Sequence, residues 1–268
     1  MGFAKKSLGQ HFLRDRGILA KIADAAKLAL SDTVLEVGPG EGTLTELLLQ
    51  SAGRVVAVEK DDRLIPLLRE KFSAEIEAER LELIHADILS FNTKRSTLNA
   101  KRWKVVANLP YYITGQFLRK FLEENPCLPH VMVLLLQKEV AKRIVASDGR
   151  ESILSISVKC YGTPRYLGTV KAGSFSPPPK VDSAILAIEN ISKDFFRGEP
   201  SDSGRFNLTE RENQFFTVLK KGFSHPRKLL SSNLELTGTD LEQCGVPSNA
   251  RAENLSLEQW KCLTKKIL

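Results

Sequence analysis

The chain lacks the features that would place it in a membrane. Its 268 residues contain no apolar run long enough to span a bilayer. The start of the chain has no charged segment followed by an apolar one, the pattern of a secretory signal. We therefore expect a cytoplasmic protein with no membrane partner.

Cysteine and histidine are both scarce and scattered. The four cysteines match no metal-binding spacing and are typical of separate reduced thiols in a cytosolic protein. The four histidines are equally dispersed, so we expect no metal site. These residues are Cys127, Cys160, Cys244 and Cys262, and His11, His85, His130 and His225.

Length and charge set the broad class. The chain is long enough for a full α/β domain and a smaller second domain, and its 42% hydrophobic residues are ordinary for a globular protein. The net charge of +7 favours a polyanionic partner such as nucleic acid, although charge alone is weak evidence. We expect a monomer.

A glycine-rich turn follows the first apolar strand. Val34-Leu35-Glu36-Val37 runs into Gly38-Pro39-Gly40-Glu41-Gly42, a helical pattern follows, and a second buried strand ends at Glu59. This is the nucleotide-binding layout of a doubly wound sheet. The glycines let the backbone approach the ligand, and the acid binds the ribose hydroxyls. NAD-dependent dehydrogenases share this layout.

Two details of the turn favour S-adenosylmethionine over NAD. The glycines are spaced Gly-x-Gly-x-Gly, and Glu36 and Glu41 flank them, where they would repel a pyrophosphate. The same acids attract a ligand that carries an ammonium and a sulfonium. A third strand, residues 81–84, leads to Asp87. That side chain suits either a hydrogen bond from the cofactor's adenine amine or the cap of a helix or turn.

The tetrapeptide Asn108-Leu109-Pro110-Tyr111 ends another buried strand and suits methylation of adenine. The exocyclic amine of adenine is a poor nucleophile, because its lone pair is delocalised into the ring. Acceptors at the Asn108 side-chain oxygen and the Leu109 carbonyl favour the tetrahedral nitrogen that attacks a methyl group. Pro110 restricts the backbone, and Tyr111 offers a ring for base stacking. A strand followed by an ordinary proline turn is the alternative interpretation.

Strands and helices alternate to about residue 146, which predicts an α/β fold with a doubly wound, mostly parallel sheet covered on both faces. The first helix is expected to start near Asp15 and to run through Ala29. Further along, Phe175-Ser176-Pro177-Pro178-Pro179 predicts a stiff extended connector before a strand at residues 184–188. We expect Phe175 to be an exposed stacking platform, with burial in the core as the alternative.

Residues 193–207 are rich in serine, glycine and charge and look like a linker. This predicts a catalytic domain at residues 1–192 and a helical domain at residues 193–268. Two capping boxes are predicted in the helical domain, Thr209 with Glu212 and Ser256 with Gln259. A solvated charged face is the default for any one basic residue there. Together, four of them suit the binding of nucleic acid: Lys220, Lys221, Arg227 and Lys228.

Taken together, these motifs resemble the ribosomal RNA adenine dimethyltransferases of the KsgA type, which act on small-subunit RNA. The resemblance covers most of the chain, from Leu8-Gly9-Gln10-His11-Phe12-Leu13 to Arg251-Ala252-Glu253-Asn254-Leu255-Ser256. It implies a Rossmann-like methyltransferase domain that uses S-adenosylmethionine, followed by a small all-helical domain. It also implies a helix at residues 153–158, whose alternating pattern by itself resembles a strand.

The resemblance implies roles for single residues. Asn108 would lie where the cofactor meets the target amine, with Tyr111 and Phe175 on the two sides of the base. Many relatives have asparagine at position 11, so a backbone contact from His11 is expected rather than a side-chain contact. The implied cofactor-binding residues are His11, Leu13, Gly38, Glu59, Asp87 and Asn108.

The implied activity is dimethylation of N6 of two adjacent adenines in a 3'-terminal hairpin of 16S rRNA, linked to small-subunit maturation. The implied partner is small-subunit rRNA or the assembling 30S subunit. One alternative is a 23S rRNA adenine methyltransferase of the erythromycin-resistance type, and another is a non-catalytic RNA-binding assembly factor with the same fold. The C-terminal motifs favour the small-subunit enzyme, and the presence of Asn108, Glu59 and the glycines disfavours a non-catalytic protein.

Overall fold

The computed structural model describes residues 9–93, 98, 103–197 and 207–267. Its centre is a seven-stranded sheet formed by β2 (Thr33–Val37), β3 (Arg54–Glu59), β4 (Leu81–His85), β5 (Trp103–Asn108), β6 (Val131–Gln137), β7 (Thr163–Val170) and β9 (Ser183–Glu189). Strands β2 to β6 pair in parallel, β9 runs antiparallel to β6, and β7 runs antiparallel to β9. The order of the strands across the sheet is β4-β3-β2-β5-β6-β9-β7. The predicted α/β fold with a mostly parallel sheet is confirmed.

A separate two-stranded sheet pairs β1 (Phe12–Leu13) with β8 (Phe175–Ser176). Short 3-10 turns lie at Tyr111–Ile113, Ala172–Ser174, Asp194–Phe196 and Ala252–Asn254, and a π-helical turn lies at Lys120–Glu124. The helices are α1 (Arg16–Ala25), α2 (Thr43–Ser51), α3 (Leu64–Lys71), α4 (Ser73–Glu77), α5 (Thr114–Arg119), α6 (Lys138–Val145), α7 (Ile153–Lys159), α8 (Leu208–Gly222), α9 (Leu230–Leu234), α10 (Gly238–Glu242) and α11 (Leu257–Ile267).

The central strands are apolar because helices cover both faces of the sheet. Every residue of β2 is buried, and so is the interior of β5 and β6, which explains their continuous apolar sequences. The side chain of Asp15 caps α1 by accepting from the N–H groups of Gly17 and Ile18. That helix ends at Ala25, before the predicted end at Ala29, and Lys27 adopts a φ of 47°.

The strand order reverses at β2, which places a crevice at the carboxyl end of the sheet. After β2 the chain builds β3 and β4 on one side, then crosses to build β5 and β6 on the other. Ligands of doubly wound sheets bind at this switch point. Gly38 directly follows β2, and Asn108 is the last residue of β5, so two of the predicted motifs meet there.

The backbone contacts divide the chain into two compact units. The first contains residues 1–141 and 163–191, and the second contains residues 142–162 and 192–268. This division differs from the boundary predicted at residue 192, because residues 142–162 group with the C-terminal helices. Within the second unit the Tyr161 hydroxyl donates to the Glu212 carboxylate, and the Ser192 N–H donates to the Tyr161 carbonyl over 2.8 Å.

The second unit contains the helix expected at residues 153–158, as α7, and the helices α8 to α11. The predicted capping box of Thr209 with Glu212 is wrong. Asn207 and Glu210 cap α8 instead, and Glu212 is buried in an ion pair of 2.7 Å with Lys193. The box of Ser256 with Gln259 is present. Of the predicted linker, residues 198–206 lie outside the described part of the chain.

Cys244 and Cys262 form a disulfide with Cα atoms 5.6 Å apart. The expectation that all four cysteines are separate thiols is therefore wrong for this pair, whereas Cys127 and Cys160 are not in a disulfide. The packing of α10 against α11 brings the pair together across 18 residues of sequence. Among the described residues, no helix is long and apolar enough to cross a membrane, and no cluster of potential metal ligands occurs.

Candidate active site

A cleft of about 220 Å³ opens at the switch point of the first unit. The glycine turn after β2, the end of β3, the end of β5 and the residues around β1 all line it. The cleft brings together residues that are far apart in the sequence. All the predicted catalytic and cofactor-binding residues of the first unit line it: His11, Leu13, Gly38, Glu59, Asp87, Asn108, Leu109, Pro110, Tyr111 and Phe175.

Glu59 ties the glycine turn to the end of β3. Its Oε2 accepts from the Gly40 N–H over 3.1 Å, and its Oε1 accepts from the N–H groups of Lys60 and Asp61 over 2.8 Å each. Burial raises the pKa of Glu59, and these three backbone bonds oppose that rise. Glu59 therefore has a structural task in addition to the predicted contact with ribose. Its Oε2, with one protein bond, keeps capacity for a ligand hydroxyl.

The glycine turn needs glycine for two reasons. Gly38 and Gly40 adopt φ values of 68° and 60°, in the left-handed region that side chains disfavour. A Cβ on Gly40 would also lie 3.0 Å from the ring of Phe12. The backbone of the turn therefore approaches both the cleft and the N-terminal segment closely.

Glu36 is a buried acid without a hydrogen-bond partner for either carboxylate oxygen. Burial raises its pKa to about 8. The negative charge of Glu59 also raises this pKa, whereas the nearby Thr45 hydroxyl and the positive charge of Lys71 lower it. A buried, unpaired carboxylate that lines a cleft suits a cationic ligand group. Glu41, the other acid predicted to attract the cofactor, is bound by Arg14 over 2.7 Å instead.

Asp87 has two protein partners in the cleft. Its Oδ1 accepts from the Leu89 N–H over 2.9 Å, which is the turn cap considered from the sequence. Its Oδ2 lies 2.7 Å from the Lys60 ammonium, and this bond holds the pKa of Asp87 below its usual value. Each oxygen retains a lone pair, so the predicted contact with an adenine amine is compatible with both partners.

The N-terminal segment holds the Asn108 amide. Asn108 Nδ2 donates to the backbone carbonyl of His11 over 3.1 Å, which leaves Asn108 Oδ1 as an acceptor. The His11 backbone is therefore at the site, as expected, and its side chain is engaged elsewhere, because Nδ1 donates to the Pro177 carbonyl over 2.8 Å. Residues 1–8 lie outside the described part of the chain.

Pro110 and Tyr111 begin the 3-10 turn after β5. Pro110 has a φ of −56°, and the Leu109 N–H donates to the Leu135 carbonyl over 3.1 Å, so the backbone of the tetrapeptide is anchored. The Tyr111 hydroxyl lies 2.7 Å from Ser183 Oγ. The Tyr111 ring is nearly parallel to the His11 ring, with an interplanar angle of 24° and centroids 6.1 Å apart.

Phe175 is buried, with 5% of its surface exposed, and the predicted exposed position is wrong. In β8 it pairs with Leu13 of β1, and both side chains belong to the hydrophobic core beneath the cleft. Its ring borders the cleft while most of its surface packs against neighbours. The proline-rich segment predicted to be an extended connector therefore begins with a residue that is buried in the core.

The four basic residues predicted to bind RNA are all exposed, in the second unit. Lys220 and Lys221 lie in the last turn of α8, and Arg227 and Lys228 lie in the following loop. The buried Asn233 side chain fixes this loop by donating to the carbonyls of Gly222 and His225, over 2.7 and 3.1 Å. Lys221 pairs with Glu235 over 3.1 Å.

Sequence reasoning assigned no role to three residues that contact the predicted site residues, either directly or through one further residue. Gln10 donates to the Asp61 carboxylate over 2.9 Å, and the Asp61 N–H in turn binds Glu59. Ser183 binds Tyr111. The available signal was position in the sequence, because Gln10 and Asp61 lie within two residues of His11 and Glu59, and Ser183 directly precedes the strand predicted at residues 184–188.

The cleft fits S-adenosylmethionine. The unpaired Glu36 carboxylate suits the positive charge of the methionine part, Glu59 Oε2 suits a ribose hydroxyl, and Asp87 suits the adenine amine. Gly38 and Gly40, in their left-handed conformations, place the backbone of the turn in the wall of the cleft. Asn108 Oδ1 completes the set as an uncharged acceptor at the end of β5.

Comparisons with known proteins agree with this geometry. A family model described as ribosomal RNA adenine dimethylase matches residues 2–267. A protein of Dehalococcoides mccartyi (strain CBDB1) named ribosomal RNA small subunit methyltransferase A is 44% identical, over 97% of this chain and 87% of that one. A protein of the same name from Geobacter metallireducens is 38% identical, over 99% of this chain and 96% of that one.

Two solved structures are similar over almost their whole length. A dimethyladenosine transferase from Plasmodium falciparum has a TM-score of 0.75 and 28% identity, covering 94% of this chain and 96% of that one. The 23S rRNA methyltransferase ErmE has a TM-score of 0.74 and 29% identity, covering 96% of this chain and 99% of that one. The fold is thus shared with an enzyme named for 23S rRNA, whereas the two sequence relatives are named for the small subunit.

Proposed function

The chain belongs to the ribosomal RNA adenine dimethylase family, and from that premise we propose that it dimethylates N6 of two adjacent adenines in a 3'-terminal hairpin of 16S rRNA. It is an S-adenosylmethionine-dependent rRNA adenine dimethyltransferase. The observation that carries the choice of subunit is the full-length match to relatives named for the small subunit. The similarity to ErmE makes the large subunit the alternative to be tested.

S-adenosylmethionine supplies the electrophilic methyl group. We propose that Glu36 faces its positive charge, that Glu59 binds its ribose, and that Asp87 binds its adenine amine. The backbone of Gly38 and the N-terminal residues His11 and Leu13 would border the same ligand. The unpaired carboxylate of Glu36 and the open acceptor capacity of Glu59 and Asp87 support these roles.

Asn108 and Leu109 would prepare the target amine for attack. The bond from Asn108 Nδ2 to the His11 carbonyl orients the amide, so that Oδ1 accepts a hydrogen bond from the adenine amine. Pro110 sets the backbone that presents the Leu109 carbonyl as a second acceptor. Both acceptors favour a tetrahedral nitrogen, so they stabilise the transition state more than the bound substrate.

A base inside an RNA helix must leave its stack before it reaches this cleft, at a cost of a few kcal/mol. Stacking on one aromatic ring returns about 1–3 kcal/mol. We propose Tyr111 as the principal stacking ring, because it lines the cleft together with Asn108 and is only partly buried. Phe175 would contribute only the part of its ring that borders the cleft, since most of its surface is in the core.

The second unit would grip the RNA backbone. Its four exposed basic residues lie on the last turn of α8 and the loop after it, a short rigid stretch that suits successive phosphates. We propose that the substrate is rRNA in the assembling small subunit and that the protein acts in the cytoplasm, where that assembly takes place.

The test is direct methylation of purified subunits. The protein is incubated with labelled S-adenosylmethionine and either small or large ribosomal subunits that lack N6-dimethyladenine, and labelled bases are mapped by reverse transcription. Label in two adjacent adenines of the small-subunit RNA alone is expected. Label in the large subunit would support the erythromycin-resistance type, and no label in either would support a non-catalytic factor.

Asn108→Ala is the matched control for that test. Because the lost acceptor acts mainly in the transition state, turnover is expected to vanish while the subunit stays bound. Equal losses of binding and methylation would instead make Asn108 a structural residue.

A further inference from the structure

The ring of Tyr111 is anchored at its hydroxyl. Tyr111 Oη lies 2.7 Å from Ser183 Oγ, and Ser183 is fully buried. The phenolic oxygen lies on the axis about which the ring flips. A hydrogen bond at this atom therefore sets the direction in which the ring points, although it does not set the plane of the ring. The plane is limited by the neighbouring ring of His11, inclined at 24°.

Ser183 is a rigid anchor because the sheet holds it on both sides. It is the first residue of β9, opposite Gln137 of β6 and Val170 of β7. The preceding residue, Asp182, accepts from the Ala172 N–H over 3.1 Å through its side chain and from the Lys138 N–H over 3.0 Å through its carbonyl. A side chain on such a strand is held more precisely than one on a loop.

The same segment also holds the second ring. Pro177, six residues before Ser183, accepts from His11 Nδ1 over 2.8 Å. The stretch from residue 177 to residue 183 therefore binds the two stacked rings from its two ends. The proline-rich segment thus positions the aromatic side chains at the cleft, while Phe175, just before it, packs in the core.

We propose that Ser183 is a positioning residue that aims the Tyr111 ring at the target adenine through the hydroxyl–hydroxyl hydrogen bond. This inference rests on the proposed function. Stacking of an extruded base demands that the ring already lies in place, since ordering it during the reaction would cost rate. Loss of the bond is therefore expected to lower kcat more than it changes the KM for the ribosomal subunit or the affinity for S-adenosylmethionine.

The experiment is a double-mutant cycle with Ser183→Ala and Tyr111→Phe, read as kcat on small ribosomal subunits. Each single variant is expected to lose about three- to tenfold in kcat, the effect of one neutral hydrogen bond. The loss of kcat in the double variant is expected to be no greater than the larger of the two single losses, because both substitutions remove the same bond. Multiplication of the two losses, or full activity of Tyr111→Phe, would overturn the proposal. Tyr166→Phe is the matched control, since it removes a phenol bonded to Thr169 over 2.7 Å outside the cleft.

A second readout does not depend on activity. The protein contains four tyrosines, and in protein labelled with ¹³C at Cζ of tyrosine the Tyr111 signal is identified by its loss in Tyr111→Phe. Ser183→Ala is expected to move this signal and to leave the other three unchanged. An unmoved Tyr111 signal would refute the anchor even if the wild type methylates small subunits. A moved signal with an inactive wild type would refute the proposed function and retain the anchor. If Ser183→Ala fails to fold, Tyr111→Phe alone decides, because it breaks the same bond from the other side.

Discussion

Glu36 is an acid placed where its charge is costly. It lies in the fully buried strand β2, neither carboxylate oxygen has a hydrogen-bond partner, and the nearby Glu59 adds repulsion. Burial raises its pKa to about 8, so the carboxyl is largely protonated at neutral pH before a cation arrives. Such a group is retained at a cost in stability, which is typical of a residue kept for ligand binding.

The raised pKa of Glu36 predicts a particular dependence of stability on pH. Between about 4.5 and 8, the folded protein keeps a proton that the unfolded chain loses, so the free energy of unfolding falls as pH rises across this window. Glu36→Gln removes the titration, and its unfolding free energy is expected to fall less than that of the wild type. Urea unfolding of cofactor-free protein at several pH values from 5 to about 9 tests this. Parallel pH profiles would contradict the assignment.

Glu59→Gln is expected to weaken binding of S-adenosylmethionine by about 1.5–3 kcal/mol, the range for hydrogen bonds to a charged group. The amide preserves the shape of the side chain, and its single oxygen can still accept from the N–H groups of Lys60 and Asp61, whereas the bond from the Gly40 N–H is lost. Calorimetry gives the affinity, and a thermal melt separates lost binding from a loosened turn. An unchanged affinity in the folded variant would remove Glu59 from the ribose contact.

Phe175→Ala is expected to destabilise the fold by about 3–5 kcal/mol, because the ring is 5% exposed and its removal leaves a cavity. Methylation would then fall with the folded fraction, and Phe175→Leu would recover much of both. Thermal melts measured beside initial rates decide the matter. A melting temperature close to that of the wild type, with a sharp loss of rate, would instead restore Phe175 as a dedicated stacking surface.

At the scale of elements, the strand β5 carries a functional end and a structural end. Asn108 terminates it at the cleft, whereas Lys104 lies near its start, buried with Asp32 at 2.8 Å. The Lys104 ammonium also donates to the carbonyls of Ala26 and Lys27 over 3.0 and 2.6 Å. This buried cation binds the chain after α1 to the sheet.

Breaking the pair of Lys104 with Asp32 is expected to be costly. Lys104→Met keeps most of the side-chain volume and leaves a buried carboxylate without its ion-pair partner, with a loss of about 3–5 kcal/mol in unfolding free energy. Adding Asp32→Asn to that variant is expected to recover part of the loss, because the uncompensated charge disappears. Denaturant unfolding of the two variants measures both values. A single variant as stable as the wild type would show that the pair contributes nothing.

At the scale of the whole molecule, the net charge of +7 attracts the polyanionic RNA substrate. Neutralising Lys220, Lys221, Arg227 and Lys228 together is expected to weaken RNA binding and to flatten its salt dependence. Each lost phosphate contact lowers the slope of log affinity against log salt by about 0.7–0.9. Binding to small subunits measured over a range of salt concentrations gives that slope.

A matched pair of variants separates local contacts from total charge. Neutralising Arg227 and Lys228 removes the same charge as neutralising Lys27 and Arg165, which pair with Glu189 in the first unit. Only the first change is expected to lower the slope. Equal slopes for the two pairs would mean that overall charge, rather than the loop after α8, attracts the RNA.

The sequence by itself determined the fold class, the cofactor and the residues that gather at the cleft. Alternation of apolar strands with helical patterns predicts a parallel sheet, and the carboxyl ends of parallel strands meet at one edge of the sheet. Gly38, Glu59 and Asn108 lie at such strand ends and therefore come together in the cleft. The start of α1 was also readable, because Asp15 caps it with its own side chain. These features depend on local periodicity and on short-range chemistry.

Tertiary structure alone decided what each of those side chains touches. Phe175 is buried because β8 pairs with β1, a contact between segments more than 160 residues apart. Glu212 is an internal ion-pair partner rather than a cap, because Asn207 precedes it with an equally good capping side chain. Cys244 and Cys262 bond because α10 packs against α11. Whether a side chain is buried or paired depends on which distant segment of the chain packs against it, and the local sequence pattern does not contain that information.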